Sequence, residues 1–185
     1  MAGDTVARRG KRSSAQETAV DAARFIAVLG SMRRGLEGVA EEARRDLSSH
    51  SFRGYHRFRA KLTEHAALLT MTRARLGDKP PPELLPRLEE EEIRAAEVQI
   101  RATLSFIFAL SAIPNLPLGA RETFIDELHS LAAAKTLLSR PDPAVPLSEG
   151  VLDDLEMAQA VLEEVAARAP KLLDLGEDAV EPVAA

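Results

Sequence analysis

The chain holds no cysteine and no tryptophan, and aromatic residues make up only 4 % of it. Without cysteine there is no disulfide framework, thiolate nucleophile, iron–sulfur cluster or zinc finger. With so few rings, a core must come from alanine, leucine, valine and isoleucine, which suits helix-on-helix packing better than a sandwich or barrel. The ten glycines form no phosphate-cradling loop, and no serine sits in a glycine-flanked elbow. Enzymatic activity is therefore not expected, and neither is a cofactor. The longest apolar run, Leu104 to Ile113, is about half of what a membrane span needs. The first residues, MAGDTVARRGKRSS, lack the apolar centre of a secretory signal. A soluble, cytoplasmic protein is the expectation.

What the chain has in quantity is helical periodicity. At 185 residues, 45 % of them apolar, it suits a single domain with a sizeable core. Residues 1–13 read as a disordered basic arm, and Ser14-x-x-Glu17 reads as a capping box opening the first helix. The bundle is expected over 14–175, with helices over about 14–47, 52–76, 83–113, 120–139 and 149–169. Residues 176–185 read as a flexible acidic tail. The first helix carries a stripe of Ala19, Ala22, Ile26, Leu29, Leu36, Ala40, Ala43 and Leu47, interrupted at Arg33. Gly77 is placed to end the second helix, and prolines at 80–82, 114, 117, 141, 143 and 146 mark rigid joints. The third helix is amphipathic to Ile100 and then apolar nearly all round, which is the mark of a buried helix. The fourth is expected to bury Phe124, Ile125, Leu128, Leu131 and Leu138, and the fifth Leu152, Leu155, Ala158, Leu162, Val165 and Ala169. Ser148 is placed to cap that fifth helix. The fold class is all-α: a single-domain bundle of about five helices joined by Pro-rich loops, with a buried third helix.

Charge is uneven. Residues 1–80 carry 16 Lys/Arg against 9 Asp/Glu, and residues 81–185 carry 8 against 20. Either the two halves meet different partners, or basic and acidic helices neutralise each other inside the bundle. Two patches stand out as binding surfaces for a partner protein. One is a basic face with Arg53, Arg57, Arg59 and Lys61; the other is an acidic start to the third helix, Glu89, Glu90, Glu91 and Glu92. Pairing of one patch with the other across a two-fold gives a homodimer. Nucleic acid is not an expected partner, because residues 81–185 repel a phosphate backbone and no nucleic-acid-binding motif is present. An anionic polymer or surface held by the N-terminal half is an alternative.

Two further patterns carry chemistry. His56-Arg57-Phe58-Arg59-Ala60 resembles, over five residues, the phosphoacceptor pattern of histidine-phosphotransfer domains. The resemblance implies an alternative phosphorelay role, with His56 taking the phosphoryl group and Arg59 stabilising it. Asp126-x-x-His129 has the one-turn spacing that ferritin-like bundles use for metal. The second such pair that a di-metal site needs is missing, since Leu62 stands three residues before His65, so no metal is expected. The reading favoured overall is a non-catalytic interaction module: an adaptor, scaffold or complex subunit.

Overall fold

The computed structural model describes residues 4–48, 51–77, 80–116 and 120–170, with side-chain surroundings from Val20 onward, Thr123 excepted. Five helices make up the described chain: α1 (Asp4–Leu47), α2 (Arg53–Leu76), α3 (Leu85–Ser111), α4 (Ala120–Leu138) and α5 (Val151–Arg168). No strand occurs among the described residues. The bundle is all-α, and prolines 80–82, 141, 143 and 146 lie in its connections. The first helix begins at Asp4 rather than at Ser14, so the stretch read as a disordered arm continues α1 from that point. Residues 4–13 contain no proline, and a helix already nucleated propagates through arginine, lysine and alanine at little cost. The expected acidic tail over 176–185 lies outside the described residues, as do 171–175.

The helices alternate in direction. Leu76, Leu84 and Leu88 return to Ala22, Ile26 and Leu29, so α2 runs against α1 and α3 runs with it. Glu127 of α4 faces Thr103 while Arg140 faces Glu89, so α4 runs against α3. Ser148 meets Glu97 and Arg168 meets the Leu110 and Ser111 carbonyls, so α5 runs with α3. Helix α3 is shared by two hairpins, α1–α2 on one side and α4–α5 on the other. The backbones of α2 and α4 never come together, nor do those of α1 and α5. Central as it is, α3 is not covered on every side: Phe108 is 46 % exposed.

The α1 stripe is buried as its spacing requires, from Ala22 and Ile26 through Leu36 to Leu47. Its interruption at Arg33 has a structural counterpart. The apolar interior is split into a small cluster (Ala22, Ile26, Leu29, Leu76, Leu84, Leu88) and a large one reaching all five helices. Between them Arg33 donates from Nε to Glu91 Oε2 at 2.7 Å and from Nη1 to Glu37 at 2.6 Å. A Cβ on Gly30 would stand 2.8 Å from Glu91 Oε1, so the glycine leaves room for that carboxylate. His65 lies in the same layer, buried, and bonded to the Leu29 backbone.

Two chain reversals rest on glycine. Gly77 closes α2 at φ +64°, ψ −165°, a region essentially reserved for a residue without a side chain. Gly150 precedes α5 at φ +74° in the left-handed region. Gly150, not Ser148, is therefore the N-cap residue of α5. Ser148 serves α3 instead: its N–H donates to Glu97 Oε1 at 2.7 Å and its hydroxyl to Oε2 at 2.8 Å. Arg94 adds a bond to the same carboxylate at 2.9 Å.

Burial raises the Glu97 carboxyl, but the Ser148 backbone N–H, Arg94 and the Ser148 hydroxyl together outweigh it and hold the group below its ordinary 4.5. A carboxyl depressed in the fold stabilises it above the unfolded value and loses that contribution as pH falls. Glu97→Gln is accordingly expected to cost about 1–2 kcal/mol near neutrality, a deficit that shrinks below about pH 4.5. Chemical unfolding of both proteins across that range measures it, and a deficit independent of pH would contradict the assignment.

Each of the last two stripes departs from the sequence reading at one apolar pair. On α4 Phe124, Leu131 and Leu138 are buried as expected and Glu127 and Ala134 join them, while Ile125 is 42 % exposed. On α5 Val151 takes the place of Leu152 in the interior and the rest of the expected face is buried. Neighbouring positions on a helix differ by about 100°, so of two adjacent apolar residues only one faces the core.

Candidate binding groove

The level at which α2, α3 and α4 meet is built around a buried polar chain. Tyr55 lies on the core stripe of α2 and stacks on Phe106, with centroids 3.7 Å apart and planes 7° from parallel. Phe52 meets the same Phe106 ring edge-on. The Tyr55 and Thr103 hydroxyls share a hydrogen bond of 3.1 Å, and Thr103 Oγ1 lies 3.5 Å from Glu127 Oε2. Arg59 Nε completes the chain on Glu127 Oε1 at 2.7 Å. One ion pair therefore bridges α2 and α4 over α3, where the backbones stay apart.

Burial pushes the Tyr55 hydroxyl far above its ordinary 10, with the Glu127 charge adding to it. Burial also pushes the Glu127 carboxyl up, further than Arg59 pulls it back. Both carboxylate oxygens face a partner already in place, which makes this network a bridge rather than a reactive centre.

Above this bridge the gap between α2 and α4 opens into a groove of about 510 Å³. Its floor is Ala95, Ala96 and Gln99 of α3; its walls are Leu62, Ala66 and Leu69 of α2 and Ser130, Ala133 and Leu137 of α4. The wall residues recur every three or four positions, so each wall is one face of a helix. Gln99 Nε2 donates to Ser130 Oγ at 2.5 Å, fixing α4 against the floor. His65 lines the groove as well. Its Nε2 is buried without a hydrogen-bond partner among the described residues.

Three arginines stand on the rim, each with a carboxylate beneath it. Arg73 holds Glu92 through Nε at 2.6 Å and through Nη2, and Arg140 meets Glu89 at 3.4 Å. In every pair the guanidinium is the outer group. Side-chain exposure is 46 % for Arg73 against 11 % for Glu92, 45 % for Arg140 against 24 % for Glu89, and 27 % for Arg59 against 3 % for Glu127. The pairs are neutral in sum, but the surface presented to solvent is cationic.

The structure separates the residues that the sequence groups together. Arg53, Arg57 and Lys61 are exposed on the outer side of α2, where Arg57 pairs with Glu42 and Lys61 with Glu64 at 2.6 Å. Arg59 points the other way, into the bridge to Glu127. Of the acidic run, Glu89 is held by Arg140, Glu91 by Arg33 and Glu92 by Arg73, and Glu90 is the exposed member. His56 is exposed, yet the arginine three residues on is engaged by Glu127. Asp126 and His129 are both exposed, and no three acidic or histidine side chains converge among the described residues.

Glu127 and Gln99 escaped the sequence reading. The signal for Glu127 was its spacing, three residues after Phe124 and four before Leu131, on the buried ladder of α4. No family model matches the chain, and neither a curated protein nor a solved structure shows significant similarity to it.

Proposed function

We propose that this protein is a non-catalytic interaction module, an adaptor or complex subunit, which receives a partner protein in the groove between α2 and α4. One observation carries the reading. Two helices stand apart over a floor of small residues, and their facing sides hold leucine and alanine rather than the charges usual on a solvated surface. The conspicuous charges of the sequence support it indirectly. Most of the acidic run and Arg59 are engaged in joining parts of the same chain, so they do not form free charged patches for a partner.

Ala66 and Ala133 are exposed within the groove, so Ala66→Trp and Ala133→Trp fill it without entering the core. In a tagged pull-down from the native host, the wild type is expected to retain a stoichiometric protein that both variants lose. Equal retention by all three, or no retained protein, would overturn the reading.

A further inference from the structure

Resting on that reading, the geometry points to the partner's chemistry: the groove seats one amphipathic helix of another protein, with leucine and alanine inward and acidic residues along both flanks. Length is the first argument. Arg59 and Arg73 are 14 residue steps apart on α2, about 21 Å or four turns at 1.5 Å per residue. A helix laid into such a trough contributes anchors at i, i+3/i+4 and i+7.

The floor is the second argument. Ala95 and Ala96 beneath, with Ala66 and Ala133 on the walls, keep side-chain bulk low where a helix axis must come close. Helix pairs approach to 8–10 Å according to the side chains at the contact.

Charge is the third argument, and it selects the sign. The carboxylates of all three rim pairs lie below their arginines, so an incoming helix meets guanidinium first. Arg73 binds Glu92 through Nε and Nη2 and keeps its other amino group for a second acceptor. Arg140 makes a single long contact and has the remaining donors of its fork available. Glutamates on the two flanks of the docked helix would meet Arg73 on one wall and Arg140 on the other.

The cavity on the opposite face, between α1, α3 and the segment before α5, is lined mainly by charged residues, and its Arg94, Glu97 and Ser148 are already bonded to one another.

The test uses the full chain and two synthetic peptides of about 18 residues, roughly one helical turn longer than the groove on this spacing. Both carry a leucine–alanine stripe; one has glutamate flanks and the other lysine flanks. By fluorescence anisotropy the glutamate peptide is expected to bind at least tenfold tighter, with the preference falling as salt rises. The Arg73→Gln/Arg140→Gln protein, which unmasks Glu89 and Glu92, should lose that preference. Ala66→Trp should weaken binding at least tenfold.

Equal binding of both peptides, or a preference that survives Arg73→Gln/Arg140→Gln, would overturn the proposal. So would binding of anionic phospholipid vesicles as strong as that of the peptide, which would indicate a surface in place of a helix. If neither peptide binds while Ala66→Trp still loses its pulled-down partner, the partner chemistry falls and the interaction reading stands.

Discussion

Arg59→Ala is expected to lower the unfolding free energy by about 3–5 kcal/mol near neutral pH, the usual cost of stranding one member of a buried ion pair. Glu127 is 3 % exposed and faces Arg59 at 2.7 Å. Without that guanidinium it keeps only the neutral Thr103 and Tyr55 hydroxyls among its hydrogen-bonding neighbours. The pH dependence identifies the cause. Burial already raises the Glu127 carboxyl in the folded protein, and removing Arg59 raises it further. Between the unfolded value and that higher one, the folded state binds more protons than the unfolded state, so stability grows as pH falls.

The deficit of Arg59→Ala should therefore be smaller at about pH 5 than at about pH 7, because the raised carboxyl gains protons as pH falls. Urea unfolding at both values decides it, and an equal deficit at both would show that the arginine acts through packing instead. Replacing both partners, as Arg59→Met with Glu127→Leu, should come within about 1 kcal/mol of wild type, because an apolar pair of similar volume needs no countercharge.

Gly54→Ala is expected to destabilise the protein by about 1–3 kcal/mol, the range for overpacking a tight contact. A Cβ at that position would stand 2.8 Å from the Ala43 Cα and 2.6 Å from Asp46 Oδ2. A side chain can rotate away, but the backbone of α1 cannot, so the α1–α2 hairpin must open at its closest point. For a chain of this size the melting temperature should fall by about 2–4 °C per kcal/mol. Gly35→Ala is the matched control. It lies within the same α1, with nothing within 4 Å of its absent Cβ. There alanine should raise stability by about 0.5–1 kcal/mol through helix propensity. Thermal unfolding of the two variants should move in opposite directions. Movement in the same direction would place the Gly54 effect in propensity and not in the crossing.

The fold was readable where a single period ran without competition. On α1 the three-four spacing picks out Ile26, Leu29, Leu36, Ala40 and Leu47, and each is buried. It was misread where two adjacent apolar residues competed, as with Ile125 beside Phe124 and Leu152 beside Val151. The groove was invisible for a different reason. Nothing in the spacing of Ala66 or Ala133 says that α2 and α4 stand apart, because that gap depends on how two hairpins share α3. Charge was read as surface because charged residues usually are surface. Arg59, Glu97 and Glu127 depart from that rule, and several of their contacts are distant along the chain, Arg59–Ser130 by 71 positions and Glu97–Ser148 by 51. A run such as Glu89 to Glu92 gives no hint that three of its members reach α1, α2 and the connection after α4.

The polar layer at Arg33 has a consequence for phase. Helices joined only through leucine and alanine can slip past one another by a turn, about 5.4 Å, with little change in apolar contact. Slippage of α3 along α1 would strand Arg33 and Glu91 against aliphatic neighbours, and would carry the Glu91 carboxylate away from the space at Gly30. The ion pair acts as a detent that admits one seating. Because Glu89 and Glu92 ride on the same turns of α3 as Glu91, that seating also sets where Arg140 and Arg73 come to rest. The spacing of the cationic rim is thus indexed from the interior, by a pair of residues that the rim never touches.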